Sequence, residues 1–228
     1  QLWPLLETMR DRAIAFVPAS GRQCTTLSTM FGSHLQGMPI IAENGTYVVR
    51  DGVDISSSTI DPNLTREVIT GVRQLRNDGH DVGLVVATKS IAYLERGDDP
   101  FVSHVATYYH SHRIVKDLSE HTDDVIKLSI YDFREASEAT YPTMQRTAPE
   151  HQVILATPNW VDIMNPGVNK GSAVEAVQRD LGVTADQTAI FGDFLNDLEM
   201  MPMAKWSFAM ANGHPNIVKA SNYVAPPN

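Results

Sequence analysis

The segment Gly192–Asp197, which reads Gly-Asp-Phe-Leu-Asn-Asp, constrains the fold of this chain more than any other segment. It directly follows the short apolar run Thr188–Phe191, which is typical of a buried strand. Two carboxylates and an amide just after a strand predict a site for a hard cation, because Mg²⁺ prefers oxygen ligands and usually lies beside substrate phosphate. Ligands of open α/β sheets also collect at the carboxyl ends of strands. The alternative is a strand-to-helix turn in which Asp193 or Asn196 caps the helix.

A lysine is predicted at the start of the preceding helix. The apolar residues Ala173, Val177 and Leu181 recur at a spacing of four, and Gly182 ends the pattern. Lys170 is therefore placed at the amino end of this helix, where the helix dipole disfavours a cation. We expect an anion near the ammonium group of this lysine.

A third polar segment, Ser20-Gly21-Arg22, follows the apolar run Ile14–Val17, which predicts a strand. The serine hydroxyl and the backbone N–H groups at the start of the next helix would form a phosphate-binding loop. A helix is also predicted at the start of the chain, where Leu2, Leu5, Leu6 and Met9 share one face.

The order of these three segments resembles the haloacid dehalogenase superfamily of phosphatases, and most closely its Cof-type, sugar-phosphatase-like branch. The distance of 22 residues from Lys170 to Gly192 is the most specific part of the resemblance, and Glu43-Asn44-Gly45 and Ala209–Gly213 also match. The resemblance implies an α/β fold with a doubly wound, Rossmann-like core of parallel strands. It also implies an inserted α/β cap domain that contains an antiparallel sheet.

The resemblance implies Mg²⁺ as cofactor and a small phosphorylated metabolite, such as a sugar phosphate, as substrate. It implies catalytic roles for Lys170 and Asp193. The residues expected to bind the phosphate are Ser20, Gly21, Lys170 and Asn196. The residues expected to bind the metal are Asp193 and Asp197, and Arg22 and Asn44 are further candidates.

The nucleophile of the family lies in an Asp-x-Asp-Gly-Thr segment, which does not occur in these 228 residues. We expect that segments are missing from both ends of the sequence, because a doubly wound sheet without its central strand would expose a large apolar slot. Two other hypotheses remain open at this point. The protein could be a pseudoenzyme that binds phosphate without catalysis, or a phosphomutase that uses the same groups.

The motifs divide the chain into a split core and an insert. We predict a first core segment at residues 1–60, a cap at 61–160 and a second core segment at 161–228, with Asp61-Pro62 at the first boundary. In the insert we predict helices over 64–75 and 135–148, strands over 82–87 and 124–131, and a hairpin of strands 152–156 and 160–164. The turn residues Gly97–Pro100 predict a loose connection.

Composition excludes several classes of function. The net charge is −9 and no basic stripe is present, so nucleic acid is not expected as a partner. No apolar run of membrane-spanning length occurs, and we expect no association with a membrane. Cys24 is the only cysteine, which suits a reducing compartment and indicates a cytoplasmic protein. We expect a monomer or a weak homodimer.

Overall fold

The computed structural model describes residues 2–228, and Gln1 lies outside the described residues. The helices are α1 (Leu2–Asp11), α2 (Cys24–Phe31), α3 (Pro62–Asn77), α4 (Asp99–Ala106), α5 (Thr140–Thr147), α6 (Lys170–Leu181) and α7 (Pro215–Ala220). The strands are β1 (Pro39–Ala42), β2 (Tyr47–Arg50), β3 (Val53–Ser57), β4 (Val82–Thr88), β5 (Ala92–Leu94), β6 (His112–Ile114), β7 (Val125–Asp132), β8 (Gln152–Leu155), β9 (Trp160–Met164), β10 (Ala189–Gly192), β11 (Trp206–Met210) and β12 (Tyr223–Ala225).

The chain forms two compact units. The first, called the core unit below, comprises the chain up to Gly21 together with Met30–Ser57 and Val168–Asn228. The second, called the insert unit, comprises Arg22–Thr29 and Ser58–Gly167. The domain boundaries at residues 60 and 160 stay a prediction.

The core unit contains two three-stranded sheets. Strands β1, β2 and β3 form an antiparallel sheet, and β10, β11 and β12 pair in parallel. Residues of α6 at a spacing of four, Ala173 and Val177, pack in one apolar cluster with Ile190 of β10 and Ala209 of β11. Helix α6 is therefore held against the sheets along its whole apolar face, and its first residue is fixed near the carboxyl ends of the strands.

The insert unit is built on a six-stranded sheet in the order β6-β5-β4-β7-β9-β8, which is antiparallel except for the pair β5 and β6. Every residue of β4 and β7 is buried. Leu84 and Val86 belong to the same apolar cluster as residues of α3 and α5, whereas Val85 and Ala87 pack with Phe101 of α4. The sheet is covered on both faces, which explains why β4 is an almost continuous apolar run, whereas β7 also buries polar residues such as Lys127 and Ser129.

The α/β fold with a parallel core sheet and an antiparallel sheet in the insert is confirmed. The expected strand at Ile14–Val17 is wrong, because the structure forms only a parallel bridge between Ala19 and Ile41 at this place. Pro18 has no N–H to donate to a ladder, and Ile14 is half exposed, so the segment lacks the pairing and burial of a strand.

Two expectations for the insert unit also need correction. The segment around Gly97–Pro100 is more ordered than its turn residues suggest, since β5 precedes it and α4 begins at Asp99. The helix expected over 135–148 begins only at Thr140, because Asp132 holds the preceding turn through the Arg134 N–H and the Thr140 hydroxyl.

Candidate active site

The serine-glycine segment lies beside the end of β1. The backbone N–H of Ser20 donates to the Ile41 carbonyl at 3.0 Å, and the N–H of Asn44 donates to the Ser20 carbonyl at 3.0 Å. A Cβ atom on Gly21 would lie 3.0 Å from Oδ1 of Asn44. The two segments are therefore in direct contact although they are more than 20 residues apart in the sequence.

The turn after β1 has an unusual backbone. Glu43, Asn44 and Gly45 have φ angles of 51°, 58° and 98°, all in the left-handed region. This conformation is unfavourable for a glutamate, and Glu43 is 1% exposed, so surrounding contacts hold the turn in place. A Cβ on Gly45 would lie 2.3 Å from the Asn169 carbonyl oxygen, so only glycine allows this turn to touch the start of α6.

The amino end of α6 is fixed by its own cap. Asn169 accepts a hydrogen bond from the Ser172 N–H at 2.9 Å, and the Ser172 hydroxyl accepts from the Asn169 N–H at 3.1 Å. This reciprocal cap sets the direction of the first turn. Lys170 is the first residue of the helix and is 5% exposed.

Lys170 forms a buried ion pair with the turn after β10. Its Nζ lies 2.6 Å from Oδ1 of Asp197, which is also 5% exposed. Oδ2 of Asp197 accepts hydrogen bonds from the N–H groups of Asp193 at 3.0 Å and of Phe194 at 3.4 Å. Asp197 therefore joins the lysine of α6 to the Gly192–Asp197 turn, and both of its oxygens have donors.

The other two polar residues of this turn are held by separate partners. The carbonyl of Asp193 accepts a hydrogen bond from the His214 N–H at 2.7 Å, and Oδ2 of Asp193 accepts from Nδ2 of Asn228 at 2.9 Å. The Asn196 side chain is exposed, and its Nδ2 donates to Oδ1 of Asn44 at 3.1 Å.

The core unit thus brings two linked groups of the expected site residues together. The Asn44 side chain lies against the backbone of Gly21 and accepts a hydrogen bond from the Asn196 side chain, and Ser20 is joined to Asn44 through the backbone. Lys170, Asp193 and Asp197 form a second connected group. The roles assigned to these residues stay predictions.

Arg22 belongs instead to the insert unit. Its guanidinium donates to the Thr107 carbonyl at 3.0 Å and lies 5.9 Å from the centre of the Tyr108 ring. Sequence reasoning missed the contact between Asn228 and Asp193, because the two residues lie in different segments of the chain. The Asn212-Gly213 dipeptide was the available signal, since it predicts a turn after β11 and Asn212 contacts Asn228.

The donor atoms around Asp193 fit Mg²⁺. Carboxylate oxygens are its preferred protein ligands, and Mg²⁺ is usually bound through one or two carboxylates with water and phosphate completing the octahedron. Within residues 2–228, no three side chains of His, Cys, Asp or Glu converge on one point. The described part of the chain would therefore contribute Asp193 and, through a remaining lone pair or a water molecule, Asp197.

Comparison with known families decides the identity of the fold. The family model of haloacid dehalogenase-like hydrolases matches residues 4–228. The chain belongs to this family.

Two named relatives of this haloacid dehalogenase-like hydrolase that match over most of its length are phosphatases. The chain is 28% identical to 5-amino-6-(5-phospho-D-ribitylamino)uracil phosphatase YbjI of Escherichia coli strain K12, over 97% of this chain and 81% of that protein. It is 22% identical to HMP-PP phosphatase of Cronobacter sakazakii, over 93% of this chain and 77% of that protein. The crystal structure of a haloacid dehalogenase-like hydrolase from Bacteroides thetaiotaomicron has the same fold, with a TM-score of 0.85, 19% identity and coverage of 97% and 84% of the two chains.

No helix within residues 2–228 combines the length and the apolar character that crossing a membrane requires.

Proposed function

We propose that this protein is a Mg²⁺-dependent phosphatase of small phosphorylated metabolites, with sugar phosphates as the first candidates. The observation that carries the proposal is the buried pair of Lys170 and Asp197 beside Asp193. The ammonium group of Lys170 can bind a phosphate oxygen, and the neighbouring carboxylate of Asp193 can bind the metal ion beside that phosphate. The names of the relatives support the same reaction class, since both act on small phosphorylated molecules.

The residues of this chain stabilise a phosphoryl group mainly by position and charge. The transferring group spreads negative charge over its equatorial oxygens, so catalysis needs fixed donors and cations more than covalent chemistry. The Ser20 hydroxyl and the Gly21 N–H would donate to phosphate oxygens. Lys170 would neutralise another oxygen, and Asp197 holds its ammonium group in place so that little reorganisation is needed when the substrate binds.

The remaining site residues assist this arrangement. Asn196 and Asn44 form a pair of amides whose free donor atoms are available to the phosphate or to the rest of the substrate. Asp193 would ligate Mg²⁺, with Asp197 acting directly or through water. When bound, the ion would reduce the repulsion between the carboxylates and the anionic substrate.

Hydrolysis through an aspartyl-phosphate requires the aspartate of the family's Asp-x-Asp-Gly-Thr segment, which is not among the 228 residues. The proposed activity is therefore that of a protein product that carries this segment. In that product, a carboxylate oxygen of the aspartate would bond to phosphorus while the phosphorus–oxygen bond to the leaving group breaks and the leaving oxygen takes up a proton. Water would then attack the phosphorus of the aspartyl-phosphate, releasing inorganic phosphate and restoring the carboxylate.

We extend the proposal to the insert and to the setting of the protein. Residues 61–160 would act as a cap that excludes water and contacts the leaving group. The single, half-buried cysteine is compatible with action in the cytoplasm. We propose a monomer or a weak homodimer.

The test is hydrolysis of p-nitrophenyl phosphate by the complete protein product of the gene, with and without Mg²⁺. We expect activity that EDTA abolishes and Mg²⁺ restores. Asp193→Asn should fold normally and lose activity by on the order of 10³-fold, because it removes a charged metal ligand. Asp186→Asn is the matched control, since this aspartate is exposed and pairs only with Lys205 at 3.2 Å.

Three outcomes would contradict the proposal. Near-native turnover by Asp193→Asn would exclude this residue as metal ligand. A complete protein that binds phosphate but hydrolyses no phosphomonoester would be a pseudoenzyme. Transfer of the phosphoryl group to a second hydroxyl of the substrate, with little release of phosphate, would identify a phosphomutase.

A further inference from the structure

Two asparagines to which no role has been assigned above, Asn212 of the Ala209–Gly213 segment and Asn228, are connected to Asp193. Nδ2 of Asn212 donates to Oδ1 of Asn228 at 2.8 Å, and the backbone N–H of Asn228 donates to Oδ1 of Asn212 at 3.3 Å. With its acceptor oxygen engaged, the Asn228 amide donates through Nδ2 to Oδ2 of Asp193 at 2.9 Å. The two amides therefore form a chain that ends on the carboxylate expected to bind the metal.

The backbone around this chain is fixed at each step. The N–H of Ala211 donates to the Ala225 carbonyl at 3.0 Å, which continues the pairing of β11 and β12. The N–H of His214 donates to the Asp193 carbonyl at 2.7 Å, and a Cβ on Gly213 would lie only 3.0 Å from this same oxygen. The loop after β11 thus holds the backbone of Asp193, while Asn228 holds its side chain.

We propose that Asn228, held by Asn212, is a positioning residue that orients the Asp193 carboxylate for its cation. This inference rests on the proposed function of the site. The amide occupies one lone pair of Oδ2 and restricts rotation of the carboxylate, so that Oδ1 and the remaining lone pair point away from Asn228. A neutral donor suits this role because it orients the carboxylate without repelling a cation, as an ammonium group would.

A residue that hydrogen-bonds to a metal ligand affects the affinity for the metal more than the affinity for the substrate. Residues that hydrogen-bond to a metal ligand typically change metal affinity or activity by about 10–100-fold when they are removed. The hydrogen bonds of Asn228 described above connect it to Asn212 and to Asp193, so we expect the binding of the phosphate at saturating metal to depend little on it.

The experiment uses the complete protein and Mn²⁺ as a paramagnetic probe of the metal site, with binding measured by electron paramagnetic resonance. For Asn228→Ala we expect Mn²⁺ to bind about 10-fold more weakly than to the wild type. The KM for p-nitrophenyl phosphate at saturating Mg²⁺ should stay within about twofold of the wild-type value. Asn212→Ala should weaken Mn²⁺ binding in the same direction, and the double variant should lose less than the sum of the two single losses.

Asn222→Ala is the matched control. This asparagine lies at the other end of β12, and its exposed amide donates to the Lys205 carbonyl at 2.9 Å, so the change also removes one amide hydrogen bond. Its Mn²⁺ affinity should equal that of the wild type.

Each other result would overturn the positioning role. Unchanged Mn²⁺ affinity in Asn228→Ala, with Mg²⁺-dependent hydrolysis by the wild type intact, would leave the proposed function standing and remove this residue from it. Equal losses in Asn228→Ala and Asn222→Ala would assign the effect to the stability of β12. A wild-type protein that binds no Mn²⁺ would overturn both the positioning role and the proposed function.

Discussion

Each of the two units buries one lysine–aspartate pair, and the two pairs have different surroundings. In the core unit, Lys170 and Asp197 come from the start of a helix and from the turn after a strand. In the insert unit, Lys127 and Asp162 come from the interior of neighbouring strands, and Nζ lies 3.9 Å from Oδ2. Both lysines are 5% exposed or less.

The pair in the insert unit is enclosed by other side chains. The Ser129 hydroxyl donates to Oδ1 of Asp162 at 2.6 Å, and the Tyr109 hydroxyl lies 3.1 Å from the Ser129 oxygen. The ammonium group of Lys127 also lies 5.4 Å from the centre of the Tyr109 ring. These polar groups come from β7, from β9 and from the segment after α4, all within the insert unit, and we predict a structural role for this pair.

The pair in the core unit has a second carboxylate as its neighbour. The N–H of Asp193 donates to Asp197, and the Asp193 side chain accepts a hydrogen bond from Asn228. Because both pairs are buried, we infer that burial of an ion pair alone does not mark a functional site. The core-unit pair is distinguished by a neighbouring carboxylate at the end of a strand, and we predict that this difference decides which pair is functional.

The largest effect that would test this comparison is expected at Lys170. Lys170→Met should lower kcat/KM for p-nitrophenyl phosphate by about 10²–10³-fold, because it removes one preorganised stabiliser of the phosphoryl group. The free energy of unfolding should fall only modestly, because the Asp197 carboxylate keeps two backbone N–H donors. Kinetics and urea unfolding of the complete protein measure the two effects. A folded variant with wild-type kcat/KM would place the pair among structural ion pairs.

The corresponding change in the insert unit should act on stability. Lys127→Met should lower the free energy of unfolding by about 3 kcal/mol, because it leaves the Asp162 carboxylate buried without its cation. Activity per folded molecule should be retained. Urea unfolding with an active-site titration separates these quantities.

The double variant Lys127→Met with Asp162→Asn is the control for the stability loss expected in Lys127→Met. An asparagine oxygen can still accept the Ser129 hydroxyl, and no buried charge remains, so most of the lost stability should return. A double variant that is stable but inactive would show that the insert pair has a role in catalysis, and the contrast between the two pairs would be wrong.

The smallest effect is expected at an exposed network in the insert unit. Hydrogen bonds from the Arg73 guanidinium and from the Ser119 N–H lower the pKa of Asp117 to about 2. Because the pKa is lower in the folded than in the unfolded chain, Asp117 stabilises the fold above about pH 4 and loses this contribution as the pH falls toward 2. Asp117→Asn should lower the urea midpoint slightly at pH 6 and less at pH 3.

Salt distinguishes this exposed network from the two buried pairs. Solvent and ions screen exposed charges, so the effect of Asp117→Asn should shrink further in 1 M NaCl, whereas that of Lys127→Met should persist. Equal salt dependence of the two variants would contradict the assignment of the insert pair to the interior.

The sequence allowed the periodic elements and the motif positions to be predicted, but not the contacts between them. Helix α6 and its glycine cap were predictable because four-residue spacing and Gly182 are local signals. Strands β5 and β6 have three residues each and carry no usable periodicity. The bond from Asn228 to Asp193 depends on the pairing of β11 and β12, which no local pattern encodes. The same limit hid the membership of Arg22 in the insert unit.

The close approach of Gly45 to the start of α6 has a consequence for the engineering of this protein. Gly171 makes a similar approach, since its Cβ would lie 2.3 Å from the Glu199 carbonyl oxygen. Direct contacts between backbone segments therefore set the relative positions of the site's loops and helix, and a side chain at either glycine would disrupt these contacts. Laboratory evolution toward a new substrate should find its accepted changes elsewhere and should return glycine at these two positions in every active clone.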